Sequence, residues 1–320
     1  MALTASPKLA LKRGALITAA NWHVVLVQFI ADSVFTALLA VPLVGGTVLV
    51  VLTSGLDPQS LFRQGPRRAA LAVAAALLAH PLALSAFLIA IGVALLGGSL
   101  FMAFVRGGSM AILAAAEREA GPIEQPPLRL AAVRASSRFS LEAATTGAQG
   151  FFGRFARLGC GLFATYGAVF GLAGAAFTYG GTGAAWDAAR LAGITTAVVT
   201  AVTIVNLLYL LTQIVIAEDD CDVTTGLLRV SAFVVRQPRE IGIVFAVAST
   251  LVALGTAASL LATAALGLIA FVPFVGLAAL PLQVGAWLVR GFLFQFLGVT
   301  ALVAYLRLYR QAGPGGGGGA

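Results

Sequence analysis

Long apolar runs, broken by short polar stretches, dominate the chain. The runs exceed the ~20 residues that an α-helix needs to cross hydrocarbon. Stretches such as 71–79 and 243–254 show no apolar–polar alternation. A membrane β-barrel strand would alternate over ~10 residues. The pattern therefore predicts helices. Six spans are expected, at about 24–52, 70–96, 158–179, 191–216, 241–271 and 283–306. The second stays apolar to Val105, long enough to tilt or to extend past the membrane. Between the first two, Asp57-Pro58 and Gly65-Pro66 are turn signals. The first run is too long for the ~7–15-residue core of a signal peptide and is expected to remain as an anchor. Residues 311–320 carry Gly-Pro followed by five glycines and are predicted to be a disordered tail.

Two longer connections share a pattern. Each has an acidic stretch followed by an amphipathic segment at helical spacing. The first reads Glu117-Arg118-Glu119, then a predicted helix over 128–140 with Leu128, Ala132, Ala135 and Phe139 on one stripe. The second reads Glu218-Asp219-Asp220-Cys221-Asp222, then a predicted helix over 223–237. At an offset of one hundred, Glu119 falls on Asp219, Leu128 on Leu228, Arg129 on Arg229 and Ala132 on Ala232. That suggests an internal repeat, though any juxtamembrane helix carries a similar pattern. The expected fold class is all-α: a polytopic transmembrane bundle of six spans with two cytoplasmic amphipathic helices, forming one membrane domain over residues 1–310.

Composition agrees with the pattern. The 320 residues are 60% hydrophobic and 10% charged, against about 25% charged in an ordinary soluble domain. The net charge of +8 does not indicate nucleic acid. Only two lysines occur, Lys8 and Lys12, and the arginines gather at the ends of apolar runs. That is the anchoring pattern of membrane helices. One side of the predicted bundle carries Lys8, Lys12 and Arg13, then Arg106, Arg118, Arg129, Arg134, Arg138, Arg154 and Arg157, then Arg229, Arg236 and Arg239, then Arg307 and Arg310. The other side carries Arg63, Arg67, Arg68 and Arg190. The bias predicts cytoplasmic termini. Cys160 and Cys221 are read as two unpaired thiols, not a disulfide framework.

Candidate chemistry is sparse. His23 and His80 lack a metal-ligand partner at His-Glu-x-x-His spacing, no Gly-x-Ser-x-Gly elbow occurs, and no lysine after Lys12 is available for a phosphate loop. Neither catalytic residues nor a metal or cofactor are expected. The carboxylates of 218–222 could hold a divalent cation. Their stronger reading is charge at the positive end of a helix dipole, with Asp222 as N-cap. Asp32 and Arg290 are read as the two charges inside spans, a costly placement that marks them as functional candidates. Gly167, Gly171 and Ala175 form a small-residue stripe suited to close helix packing. Arg129, Arg134, Arg138, Arg229 and Arg236 could face anionic headgroups, or their helices could cover the bundle.

Three short motifs carry a family resemblance: Gly107-Gly108 closing the second run, Ile214-Val215-Ile216-Ala217-Glu218 leading into an amphipathic helix, and Ala304-Tyr305-Leu306-Arg307-Leu308-Tyr309 near the end. With them the layout resembles the six-span bacterial membrane-domain family found fused to glycerophosphodiester phosphodiesterases, and related inner-membrane proteins. The resemblance implies a topology and a bacterial inner-membrane location. It does not imply the phosphodiesterase activity, whose domain has no room here. The expected function is non-enzymatic, a lipid-associated or interaction protein. Its partners would be membrane lipids, another membrane protein or a second copy of the chain. The alternative is a small-solute permease using Asp32 and Arg290.

Overall fold

The computed structural model describes residues 6–53, 72, 75–127, 130–178, 184–270 and 275–312. Among them the regular structure is helical, with no strand. The helices are α1 (Pro7–Ala20), α2 (Trp22–Thr53), α3 (Pro81–Glu119), α4 (Leu130–Ala135), α5 (Leu141–Thr178), α6 (Ala184–Asp219), α7 (Val223–Arg236), α8 (Pro238–Ala270) and α9 (Val275–Ala312). Prolines open α1, α3 and α8, where the missing N–H costs nothing. Six helices, α2, α3, α5, α6, α8 and α9, are long and apolar enough to cross a membrane. The chain is an all-α, multi-pass membrane protein.

Several helices outrun the apolar stretches that announce them. In the second span α3 opens at Pro81, just after a helical stretch over 75–79, and continues to Glu119 rather than 96; residue 70 lies outside the described residues. The third begins at Leu141 rather than 158, so Arg154 and Arg157 ride on α5 and not in a connection. Arg106 likewise lies within α3. Like Asp32 and Arg290, it is a charge inside a candidate span. α6 runs to Asp219 and α9 to Ala312, so the predicted tail starts as helix, and the rest of it lies outside the described residues. Hydropathy registers only the segment that faces lipid. The extensions carry charged residues and are held by packing and ion pairs.

The helix predicted over 128–140 is much shorter. Leu128 and Arg129 lie outside the described residues, and α4 covers only Leu130–Ala135. The backbone tightens at its end, where Ser136 and Ser137 donate to the carbonyls of Val133 and Arg134. The Ser136 hydroxyl also donates to the Val133 carbonyl at 2.6 Å. Such side-chain bonds compete with helix continuation. Phe139 therefore leaves the predicted stripe and stacks on His23, with centroids 5.1 Å apart.

The described residues fall into two compact units, Ile30–Ala103 and the remainder, Met1–Phe29 with Phe104–Ala320. In the smaller unit, Phe87 lies over Gly46 and Phe35 over Gly98, where an added Cβ would stand 2.4 and 2.1 Å from the ring. In the larger unit the core gathers at one end of the helices. Ile17, Met110, Leu113, Phe155, Ile214, Ile216, Leu306 and Leu308 are all fully buried there. Farther along the spans, Phe170, Leu172, Val199, Leu254 and Leu261 are exposed. A hydrocarbon solvent would cover them. α1 packs on α9 through Gly14, where an added Cβ would stand 2.5 Å from the Thr300 carbonyl oxygen.

Gly14→Ala should therefore force α1 off α9 and cost about 1–3 kcal/mol. Gly167→Ala, whose Cβ would meet nothing within 4 Å, should be neutral or stabilising by up to about 1 kcal/mol. Thermal unfolding of the two variants checks the contrast. Equal shifts would contradict the close α1–α9 approach.

Candidate functional site: an ion-paired helix end

Arg13 stands on α1 and is 3% exposed. A guanidinium so buried must find partners for its N–H groups. Its Nε–H is shared by both carboxylate oxygens of Glu117, each at 2.8 Å. One terminal nitrogen donates to Glu124 Oε2 and to the Gly121 carbonyl, both at 2.7 Å. The other donates to the Ala120 carbonyl at 2.6 Å and to the Glu117 carbonyl at 3.2 Å. These carbonyls lie at and just past the end of α3, where helical acceptors run out of partners. Arg13 thus caps α3 and neutralises two carboxylates at once. Lys12 adds a bond to the Glu124 carbonyl at 2.7 Å. Arg307 of α9 approaches Glu117 at 3.5 Å and Glu124 at 3.9 Å.

The end of α6 repeats the arrangement. Arg310 of α9 grips Glu218 through two parallel bonds at 2.7 and 2.6 Å. It also donates to the Ala114 carbonyl on α3 at 3.1 Å. Arg118 reaches the same carboxylate at 3.2 Å. Asp219 accepts from Arg229 and from the Tyr309 hydroxyl. Asp220 turns the chain at φ 49° and pairs with Arg154 at 2.7 Å. Asp222 pairs with Arg157 at 3.3 Å. The acidic cluster is thus engaged by arginines, one carboxylate at a time. Asp222 occupies the N-cap position of α7, but its side chain makes no capping bond there. The cap expected from the sequence is replaced by the pair with Arg157.

Burial alone would lower the Arg13 pKa, but its bonds and charge contacts with Glu117 and Glu124 raise it above the usual value. Burial pushes Glu124 up, yet its own backbone N–H, Arg13 and Arg307 hold it below the usual carboxylate range. Burial pushes the Cys221 thiol up, which keeps it protonated and poorly nucleophilic. The Asp219 bond and charge raise Arg229.

The remaining sequence candidates are dispersed. Arg138 is paired with Glu119, and its backbone N–H donates to buried Asn21 at 2.8 Å. The Asn21 amide in turn holds the Ser136 carbonyl at 3.1 Å. Arg134 and Arg236 are exposed. A Cβ at Gly167 or Gly171 would meet open space, so this stripe faces away from neighbouring helices at those positions. Asp32 is exposed on α2, and Arg290 stands 5.3 Å over the Phe294 ring. They belong to different compact units. Arg106 stands 5.7 Å over the Tyr209 ring. His23 lies between Trp22 and Phe139, at 4.0 and 5.1 Å. Sequence reasoning missed Arg13, Asn21, Glu124 and Tyr309 as a site. The available signal was a carboxylate ending each of two apolar helices, with arginines flanking the first and last spans.

Fold and site together define a multi-pass α-helical membrane protein whose helices meet in an ion-paired end. No family model, curated protein or solved structure matches the chain.

Arg13→Met should cost about 3–5 kcal/mol, because Glu117 and Glu124 lose their main buried counter-charge. Arg118→Met removes an exposed pair and should cost about 1 kcal/mol or less. Because the folded pKa of Glu124 is depressed, its contribution is fully present above about pH 4.5, the ordinary carboxylate value. It is lost as pH falls through the lower folded value. Thermal unfolding of both variants, followed from neutral pH to below 4.5, reads these effects. Equal costs for the two variants would contradict the ranking.

Proposed function

We propose that this protein is a non-enzymatic, lipid-associated protein of the bacterial inner membrane. Both termini and the ion-paired end lie on the cytoplasmic side, against the inner leaflet. The observation that carries this reading is the two-sided packing of α7. Gly226, Val230 and Phe233 are buried against the bundle, with the Gly226 Cβ position 3.0 Å from Ile216. On other sides Leu228 and Val235 are 71% and 79% exposed, beside exposed Arg229 and Arg236.

α7 follows one candidate span and precedes another with almost no intervening chain. It is therefore tied to the membrane boundary. Apolar side chains exposed there, flanked by arginine, suit the zone between acyl chains and anionic headgroups. The asymmetry of positive charge supports the cytoplasmic orientation.

A spin label on Leu228→Cys, in a Cys160→Ala/Cys221→Ala background, tests the placement in bilayer discs containing phosphatidylglycerol. The label should be more accessible to oxygen than to a water-soluble nickel complex. Gln125→Cys, in an exposed loop, provides the aqueous reference. A Leu228 label as water-accessible as the Gln125 label would overturn the reading.

A further inference from the structure

Between α5, α6 and α7 lies a groove of about 250 Å³. Its walls are two matching stripes at helical spacing. Leu158 and Leu162 face it from α5, and Val205, Leu208 and Tyr209 from α6. Val223 and Leu227 of α7 close one end. Gly161 lines it as well, and a Cβ there would extend into open space. Two threonines also line it, but neither hydroxyl proton is free to donate to a ligand. Thr165 donates to the Gly161 carbonyl at 2.8 Å, and Thr212 to the Leu208 carbonyl at 2.7 Å. What they offer the groove is methyl surface.

The one charged side chain lining this groove is Arg157. It stands at the α7 end, with 67% of its side chain exposed. Its partner Asp222 is 52% exposed and 3.3 Å away, a loose and solvated pair. Both walls belong to candidate spans, so bilayer lipid is the solvent at the groove's mouth. An apolar slot ending at a cation matches the two halves of an anionic phospholipid.

We propose that this groove holds one acyl chain of an anionic phospholipid, with the lipid phosphate bound by Arg157. This assignment rests on the reading that α7 lies at the inner leaflet. It adds a defined lipid site to that surface. The chain lies along the Leu158–Leu162 stripe, and the phosphate competes with Asp222 for the guanidinium. Such a lipid bridges α5, α6 and α7 where their side chains leave a gap.

The test is titration of the full-length protein in detergent with phosphatidylglycerol and phosphatidylcholine of identical chains, read by native mass spectrometry. The unaltered protein should prefer phosphatidylglycerol by about fivefold, the effect of one basic residue at an anionic surface. Arg157→Gln should abolish that preference. Gly161→Leu should weaken both lipids by about tenfold or more, equivalent to losing burial of two methylenes. Gly167→Leu, on the same helix but outside the groove, should bind as the unaltered protein does. A phosphatidylglycerol preference that survives Arg157→Gln, or unchanged binding by Gly161→Leu, overturns the assignment. The spin label on Leu228 separates the two ideas. If its depth is as expected while the groove variants bind normally, the groove fails and the leaflet reading stands.

Discussion

The larger unit depends on a buried guanidinium. Arg13 contributes all its N–H groups to the end of α3, bonding the carboxylates of Glu117 and Glu124 and three backbone carbonyls. Burying a charge is costly unless it is paired and fully hydrogen-bonded. Here the pairing also satisfies acceptors that a helix terminus leaves open. Three consequences follow from that one side chain. α1 is tied to the end of α3, the last turn of α3 is completed, and the loop through Glu124 is pinned to α1, with Lys12 as a second tie. Glycine at position 14, the next residue, lets α1 approach the α9 backbone closely enough for the contact to form.

The same solution appears twice. α3, α4 and α5 form a long helix, a short helix and a long helix, and α6, α7 and α8 do so again. Glu117 near the end of α3 is met by Arg13 and Arg307; Glu218 near the end of α6 is met by Arg310 and Arg118. The halves are not equivalent. α4 is stopped by serines and the Asn21 clamp, whereas α7 runs from Val223 to Arg236. The longer helix has room to bury one face and expose another.

The six spans were legible because each is a run of apolar residues set by the thickness of hydrocarbon. Their charge-bearing extensions were not, because hydropathy is blind to a helix end held by ion pairs and core packing. The Arg13–Glu117 pair joins residues 104 positions apart. In sequence, Arg13 looks like any basic anchor and Glu117 like any loop acid. The carboxylates of 218–222 were visible as a cluster, but only the fold brings Arg154, Arg157, Arg229 and Arg310 to them. The short α4 and the displaced Phe139 were hidden for a related reason. The periodicity of 128–140 is helical, and local serine bonds with a distant asparagine override it.

Hydrogen exchange tests the central role of Arg13 most directly. α1 has 14 residues, and an isolated helix that short is marginal in water. Any lasting protection of its amides must therefore come from packing and ion pairing with the rest of the unit. In bilayer discs, α1 and the segment 117–124 should exchange slowly. In Arg13→Met both should become fast together, while the lipid-covered middle of α8 stays protected. Rapid exchange of α1 in the unaltered protein, or slow exchange of both segments in Arg13→Met, would contradict the account.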